Sequence, residues 1–336
     1  MKNKNVLLLG SSEDYSLEKM YQRGFHLNGL NTKFFHIYNI RKNFFSKIIW
    51  KYLRFIGFYF IRKKILNFIK IENKKYDLVI IFKGLYINKN FMINLKKNLK
   101  NTKIINIFPD NPFEVNYFKD ISNKNILNCI KYFDHSFIYS KKILRKLNKN
   151  YPNKKFSYLP FAHDSKIHKI NKNKNKKKFD LSFIGTADER RYKIIKELKN
   201  FKIIIGGDGW DRYKLSKNIT YINNVDAKKF AKTINLSKVT LNILRKQNYS
   251  SHNMKTFEIP SMGGLMITER SLEQEIFFPE NKACLMYNNL KELKTKIKNL
   301  KIDSKRYKKI IQRGYKLAQK NSYKHRTKFL YNAVYN

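Results

Sequence analysis

The stretch 253–277, NMKTFEIPSMGGLMITERSLEQEIF, decides how the chain is read. It divides into a short helical piece, a double-glycine stop at Gly263-Gly264, a buried strand and a polar loop. Glycine just past a helical segment marks its C-cap, because it enters the left-handed region without a Cβ penalty. Leu265–Ile267 is too short for a helix and suits a strand covered on both faces, as in a parallel sheet. One acid, Glu258, stands among Phe257, Pro260 and Ser261. A carboxylate near a helix start has two possible roles. It caps backbone amides of the first turn, or it accepts two hydrogen bonds from a vicinal diol such as a ribose. This stretch by itself leaves both open.

Outward from there, the same rhythm runs in both directions. Phe179–Gly185, Lys202–Gly206, Ile219–Ile222, Val239–Leu244, Leu265–Thr268 and Ala283–Tyr287 read as strands, and a helical region over Ser304–Tyr331 closes the chain. In the first half, Val6–Gly10, a helix near Leu17–Asn28 and a strand Thr32–Ile37 open a β-turn-α-β pattern. Asp77–Lys83, Lys103–Phe108, His135–Tyr139 and Phe156–Leu159 continue it. Strands alternating with helices predict doubly wound α/β domains. Between Lys166 and Lys178 lies INKNKNKKK, charged and without periodicity, the expected domain linker. The sequence therefore predicts a first domain over 1–165, a linker over 166–178, a second domain over 179–317 and a terminal helix over 318–336 that packs back toward the first.

Composition sets the bounds. At 336 residues the chain has room for two domains, and 42% hydrophobic with 15% aromatic residues fits globular packing. Lys plus Arg number 72 against 24 Asp plus Glu, a formal charge of +48. Such a field attracts polyanions. The lysines, however, are spread through the whole chain among abundant Asn, Ile, Phe and Tyr, the pattern that A/T-rich codon choice leaves behind. Cys129 and Cys284 lie far apart without metal-ligand spacing, which argues against a disulfide framework and suits a reducing cytoplasm. The opening MKNKNVLLLG is not expected to be a signal peptide, and no apolar run approaches the ~20 residues of a membrane span.

One segment departs from the α/β rhythm. In Phe44–Ile71, Lys47, Lys51 and Arg54 fall on one helical stripe, with Trp50, Tyr52, Phe55, Phe58, Tyr59 and Phe60 around them. It reads either as a core helix with snorkelling lysines or as a basic amphipathic helix on an anionic membrane surface.

Open parallel sheets bind ligands at the carboxyl ends of their strands, which singles out several loops. Gly185, Thr186 and Arg190 follow one strand, and a strand-to-helix turn with guanidiniums can meet a phosphate. Gly207 and Trp210 lie in GGDGW (206–210), a tight turn beside an aromatic face that would stack a base or sugar, or a plain turn. Arg245 follows another strand, and Asn253, Lys255, Thr256 and Glu258 belong to the opening stretch. In the first half, Asp14, Asp110 and His163 are candidate bases by loop placement, Asp110 in FPDNPF (108–113) and His163 in LPFAHD (159–164). Several weak signals meet on one edge of one sheet, which favours a ligand site there.

These residues carry a resemblance. FDLSFIGT (179–186) with its following arginines, GGDGW, NILR (242–245), NMKTFEIPSMGGLMITER (253–270) and NSYKHR (321–326) are similar to glycosyltransferases related to the spore-maturation protein CgeB, of the GT-B group 1/group 4 type. It covers most of the second half and the first in outline. It implies two Rossmann-like domains facing a cleft, with the nucleotide-sugar donor on the second. Glu258 matches the acid that holds the nucleotide ribose, Lys255 takes a place where arginine is common, and Asn253 and Thr256 keep the pattern. The start of the helix, Ser251–Lys255, would face the diphosphate. Ser250 stands where retaining members carry a second Glu, a departure that bears on the contact to the donor sugar. The resemblance implies a metal-independent transfer without cofactor from a nucleotide-sugar to a glycan, lipid-linked or cell-surface acceptor. It implies an enzyme of cell-envelope glycan biosynthesis; the cysteine usage places it in the cytoplasm, and the segment 44–71 is the expected contact with the inner face of the membrane. Two other classes stand beside it: a non-catalytic GT-B-like protein that binds glycans or partners, and a basic nucleic-acid binder, against which no recognisable module supports specific binding.

Overall fold

The computed structural model describes residues 4–37, 54–113, 116–118, 121–122, 124–173 and 176–336. The chain forms two compact units, Met1–Pro160 with Lys324–Asn336, and Phe161–Tyr323. Each is built on a six-stranded sheet whose paired strands are all parallel.

In the first unit the strands are β1 (Asn5–Gly10), β2 (Asn31–His36), β3 (Leu78–Phe82), β4 (Lys103–Phe108), β5 (His135–Ile138) and β6 (Phe156–Tyr158), in the order β2-β1-β3-β4-β5-β6. Val6–Leu9 and Leu78–Ile81 are fully buried, because helices cover both faces of a parallel sheet and no side of the strand can be polar. A short antiparallel pair, 116–118 with 121–122, stands apart from this sheet. The C-terminal helix Tyr323–Tyr335 belongs largely to this unit. Asn28 Nδ2 donates to Lys324 O and Thr327 Oγ1, both at 2.8 Å, and the Tyr335 hydroxyl donates to Asp77 O at 2.7 Å.

In the helix Arg54–Glu72 the aromatic segment divides between a buried and an exposed face. Phe58, Ile61, Ile65 and Ile69 recur every three or four residues and are buried. Phe55 (66% exposed), Tyr59 (56%), Phe60 (44%) and Ile71 (83%) stay in solvent beside exposed Lys63, Lys64 and Lys70. Lys47, Trp50, Lys51, Tyr52 and the Arg54 side chain lie outside the described residues.

The second unit contains β7 (Phe179–Ile184), β8 (Ile203–Gly206), β9 (Ile219–Ile222), β10 (Ser237–Asn242), β11 (Met266–Glu269) and β12 (Leu285–Tyr287), in the order β9-β8-β7-β10-β11-β12. Strand order reverses between β7 and β10, which opens a crevice at their carboxyl ends. Leu181, Phe183, Ile203, Ile205, Val239, Leu241, Ile267 and Leu285 form the core. The polar run 166–178 falls inside this unit. Its far end is tied down where Lys178 N donates to Leu236 O at 2.8 Å, and the chain passes between units at Pro160–Phe161. The closing helical region is two helices, Lys305–Gln319 and Tyr323–Tyr335. They part where the Asn321 carbonyl turns to His163, accepting from its backbone N at 3.1 Å and from Nδ1 at 3.0 Å.

Candidate functional site

The crevice of the second unit is built from the loops after β7 and β10. After β7, Asp188 caps the helix Glu189–Lys196 by accepting from Arg191 N at 2.9 Å. Gly207 sits at φ +119°, and a Cβ there would lie 2.6 Å from Gly185 O, so the close approach of the β7 and β8 loops at this point requires glycine. Trp210 is not a stacking face. It is 0% exposed, packs edge-on to Phe183 at 5.8 Å and donates Nε1–H to Gly185 O at 2.9 Å, so its ring belongs to the core and its polar edge holds the loop.

The two arginines of this loop do different work. Arg190 pairs with Glu269, donates to Leu244 O at 3.1 Å and lies over the Tyr249 ring at 4.9 Å, so its guanidinium is largely engaged within the protein. Arg191, the second guanidinium of this turn, is buried and donates to Thr186 O and Ile243 O, both at 2.8 Å. It ties the β7 loop to the β10 loop across the switch point. Arg245, just past β10, is exposed and forms no ion pair among the described residues. Thr186 is likewise solvent-facing at the mouth of the β7 loop, and Ser250 is exposed.

The helix Lys255–Ser261 is started by a reciprocal cap. Asn253 Oδ1 accepts from Thr256 N at 3.1 Å while Thr256 Oγ1 accepts from Asn253 N at 3.2 Å. Asn253 Nδ2 donates to Asn242 Oδ1 at 2.8 Å, which fastens this cap to the end of β10. The helix closes as expected at Gly263, which adopts φ +77°. Because Asn253 serves as the cap, Glu258 does not have to. Among the described residues its carboxylate accepts no backbone amide. It is 2% exposed and pairs with Lys255 Nζ at 2.6 Å and with His168 Nε2 at 3.7 Å. Burial pushes its pKa up, but Lys255, His168 and His163 outweigh that, and the net shift is below the usual carboxylate value. A buried, ionised acid with one oxygen on a partly exposed lysine is suited to receive hydroxyl donors.

His163, placed by sequence among candidate bases, is buried in this second unit at 1% exposure and held by the Asn321 carbonyl. Burial lowers its pKa to about 4. Behind the loop lies a further network that sequence reasoning missed. Glu273 accepts from Ser251 Oγ at 2.9 Å and His252 Nδ1 at 3.0 Å, and His252 Nε2 accepts from Phe161 N at 3.1 Å. Serine and histidine share one carboxylate oxygen and the far ring nitrogen is occupied by backbone, so this group braces the loop and is no nucleophilic triad.

In the first unit, Asp14 is exposed, with its carbonyl taken by Arg23 Nη2 at 2.8 Å. Asp110 pairs with Lys83 at 2.7 Å, at the carboxyl ends of β4 and β3. Glu18, not anticipated, stands half-buried at the end of β1 in the first turn of the helix Leu17–His26. Its carboxylate accepts from Ser11 N at 3.3 Å, and burial raises its pKa against those backbone bonds. The signal was available: an acid in the first turn after a strand ending in glycine.

Residues 190–332 match the family model described as glycosyl transferase-like. No curated protein sequence matches the chain. Its fold recurs in solved glycosyltransferases of the GT-B architecture. Sucrose-phosphate synthase from Thermosynechococcus elongatus aligns over 99% of both chains with a TM-score of 0.72 at 10% identity. HepE from Anabaena, solved with UDP and glucose, aligns over 99% of this chain and 100% of its own, with a TM-score of 0.65 at 8% identity. BGT of T4 phage, solved with its UDP-glucose substrate, aligns over 98% and 99%, with a TM-score of 0.59 at 13% identity. The two-sheet α/β architecture is therefore GT-B.

Proposed function

We propose that the chain is a nucleotide-sugar-dependent glycosyltransferase of the CgeB-like group, which holds its donor on the second unit and passes the sugar to a glycan or lipid-linked acceptor. The observation that carries this reading is Glu258: buried, ionised and relieved of capping by Asn253. Ionised groups are kept inside a protein only with partners, and here one partner, Lys255, is 30% exposed and able to swing toward a phosphate. Arg245 stands at the adjoining strand end as a second cation. In transfer the bond from the sugar's anomeric carbon to the diphosphate oxygen breaks, and negative charge grows on the leaving diphosphate. Lys255 and Arg245 neutralise that charge without a metal. HepE was solved with UDP and glucose and BGT with UDP-glucose, which supports a nucleoside diphosphate donor here.

The exposed face of the helix Arg54–Glu72 supports an anionic membrane surface as the partner of the first unit, its aromatics at headgroup level and its lysines on lipid phosphates. No helix among the described residues is long and apolar enough to cross a membrane.

The test is a thermal-shift panel of UDP-, GDP-, ADP- and CMP-sugars, followed by an assay for released nucleotide. A donor at 100 times its Kd adds about 2.7 kcal/mol of stability. The reading fails if no member of the panel raises Tm and none is consumed.

A further inference from the structure

We propose that His163 and His168 complete the ribose side of the donor site: His163 accepts a hydrogen bond from a ribose hydroxyl through Nε2, and His168 positions Glu258. This rests on the donor reading above and extends it to two residues outside the Asn253–Glu258 stretch.

Both tautomers follow from fixed backbone partners. His163 Nδ1 lies 3.0 Å from Asn321 O and must donate to it, so Nε2 carries a lone pair and no proton. That nitrogen is fully buried and has no hydrogen-bond partner among the described residues. The ring is not free to turn away, because His163 is also stitched to the chain at 321–323: its N donates to Asn321 O and its O accepts from Tyr323 N at 3.0 Å. A buried acceptor left unpaired is costly and uncommon in native structures, and a hydroxyl donor reaching Nε2 would relieve that cost. His163 and Glu258 are near enough that each shifts the other's ionisation.

His168 is oriented in the opposite sense. Its Nδ1 accepts from Asp164 N at 2.9 Å, which puts the neutral ring's proton on Nε2, facing Glu258 Oε1 at 3.7 Å. The other carboxylate oxygen is held by Lys255 at 2.6 Å. Glu258 is thus held from two sides, by a proton donor on a turn some ninety residues earlier and by a lysine one helical turn away. A ribose carries two adjacent hydroxyls. One donates to Glu258 and the other to His163 Nε2.

The experiment is calorimetric titration of the full chain with whichever of UDP, GDP and ADP binds most tightly, and with its 2′,3′-dideoxy counterpart. His163→Asn keeps the Nδ1-type donor to Asn321 O and removes Nε2. It is expected to lose roughly three- to tenfold in affinity for the ribonucleotide and nothing for the dideoxy compound. His163→Gln, which returns a polar atom near the Nε2 position, is expected to recover part of the loss. His168→Asn keeps an acceptor for Asp164 N and removes the group facing Glu258. It is expected to move the acid limb of the affinity-versus-pH profile upward, which a purely structural role would not do.

Should either histidine variant fail to fold, the wild-type ¹⁵N resonance of His163 Nε2 serves instead. It is expected to shift on adding the ribonucleotide and to stay put with the dideoxy compound. The proposal is overturned if His163→Asn binds both compounds as the wild type does or loses both equally, or if that resonance responds to both alike. If the wild type binds no nucleoside diphosphate, the donor reading falls as well. If Glu258→Gln loses its preference for ribose while His163→Asn does not, this inference alone falls.

Discussion

Replacing Glu258 by Gln separates its role in binding from its role in folding. Gln has the same shape, so no cavity opens in a site that is 2% exposed. The lost ion partner, Lys255, is 30% exposed and can return its charge to water, while the amide oxygen still accepts from Nζ. Folding therefore suffers little at neutral pH. Binding suffers more. A hydrogen bond to a charged acceptor is worth about 1.5–3 kcal/mol, and Gln keeps one uncharged acceptor where the carboxylate offers two charged ones. A net loss of about 1.5–3 kcal/mol is a 10- to 150-fold rise in Kd for the ribonucleotide, with little change for a dideoxy analogue. Linkage adds a second signature. Lys255, His168 and His163 outweigh burial and hold the folded pKa of Glu258 below its ordinary 4.5. A lowered acid contributes stability that is present above the unfolded pKa and lost as pH falls through the folded one. The wild type should thus lose stability more steeply than Glu258→Gln below about pH 4.5, read by Tm against pH. A folded Glu258→Gln protein with wild-type donor affinity would refute the assignment.

Further outcomes are expected. Arg245→Ala should weaken nucleoside diphosphate binding about 10-fold or more while sparing the bare nucleoside. Arg190→Ala, whose guanidinium is held by Glu269 and Leu244 O, should cost about 1 kcal/mol of stability and less affinity; titration with nucleoside and nucleotide separates them. Gly207→Ala should lower stability by about 2 kcal/mol or more in denaturant melts, since its φ is +119° and the new Cβ meets Gly185 O at 2.6 Å. Changing Lys63, Lys64 and Lys70 together to Glu should release the protein from vesicles rich in anionic lipid at low salt, where each basic residue adds about 1 kcal/mol. Wild-type protein that fails to float with such vesicles would end the membrane reading.

What could be read from the sequence follows from what burial does to composition. Strands covered on both faces cannot alternate, so runs such as Val6–Leu9 and Leu265–Ile267 stand out against a lysine-rich background. Connectivity leaves no such mark. The run 166–178 looks like a linker because it is solvated, yet the crossing between units lies at Pro160–Phe161, beside buried Leu159 and Ala162. Neither does the direction of a side chain. Arg190 and Arg191 are neighbours in sequence but lie about 100° apart on a helix, so one reaches Glu269 and the other the carbonyls of two strand ends. Trp210, set among glycines, could not announce that its ring points inward. The break at residues 320–322 carries no Gly or Pro, and it exists because His163 takes the Asn321 carbonyl.

Glu258 is the opposite case, and the reason is physical. One acid in an apolar helix between a polar cap and a glycine stop is an anomaly that burial alone would remove. Its survival implies compensating donors somewhere in the fold. Lys255 was legible as one of them, three residues away on the same helix face. The other comes from a turn about ninety residues earlier, where the Asp164 amide fixes His168 with its Nε2 proton toward Glu258. No local pattern encodes that pairing. The sequence could therefore locate the acid but not its surroundings, and it is the surroundings that keep a buried carboxylate charged.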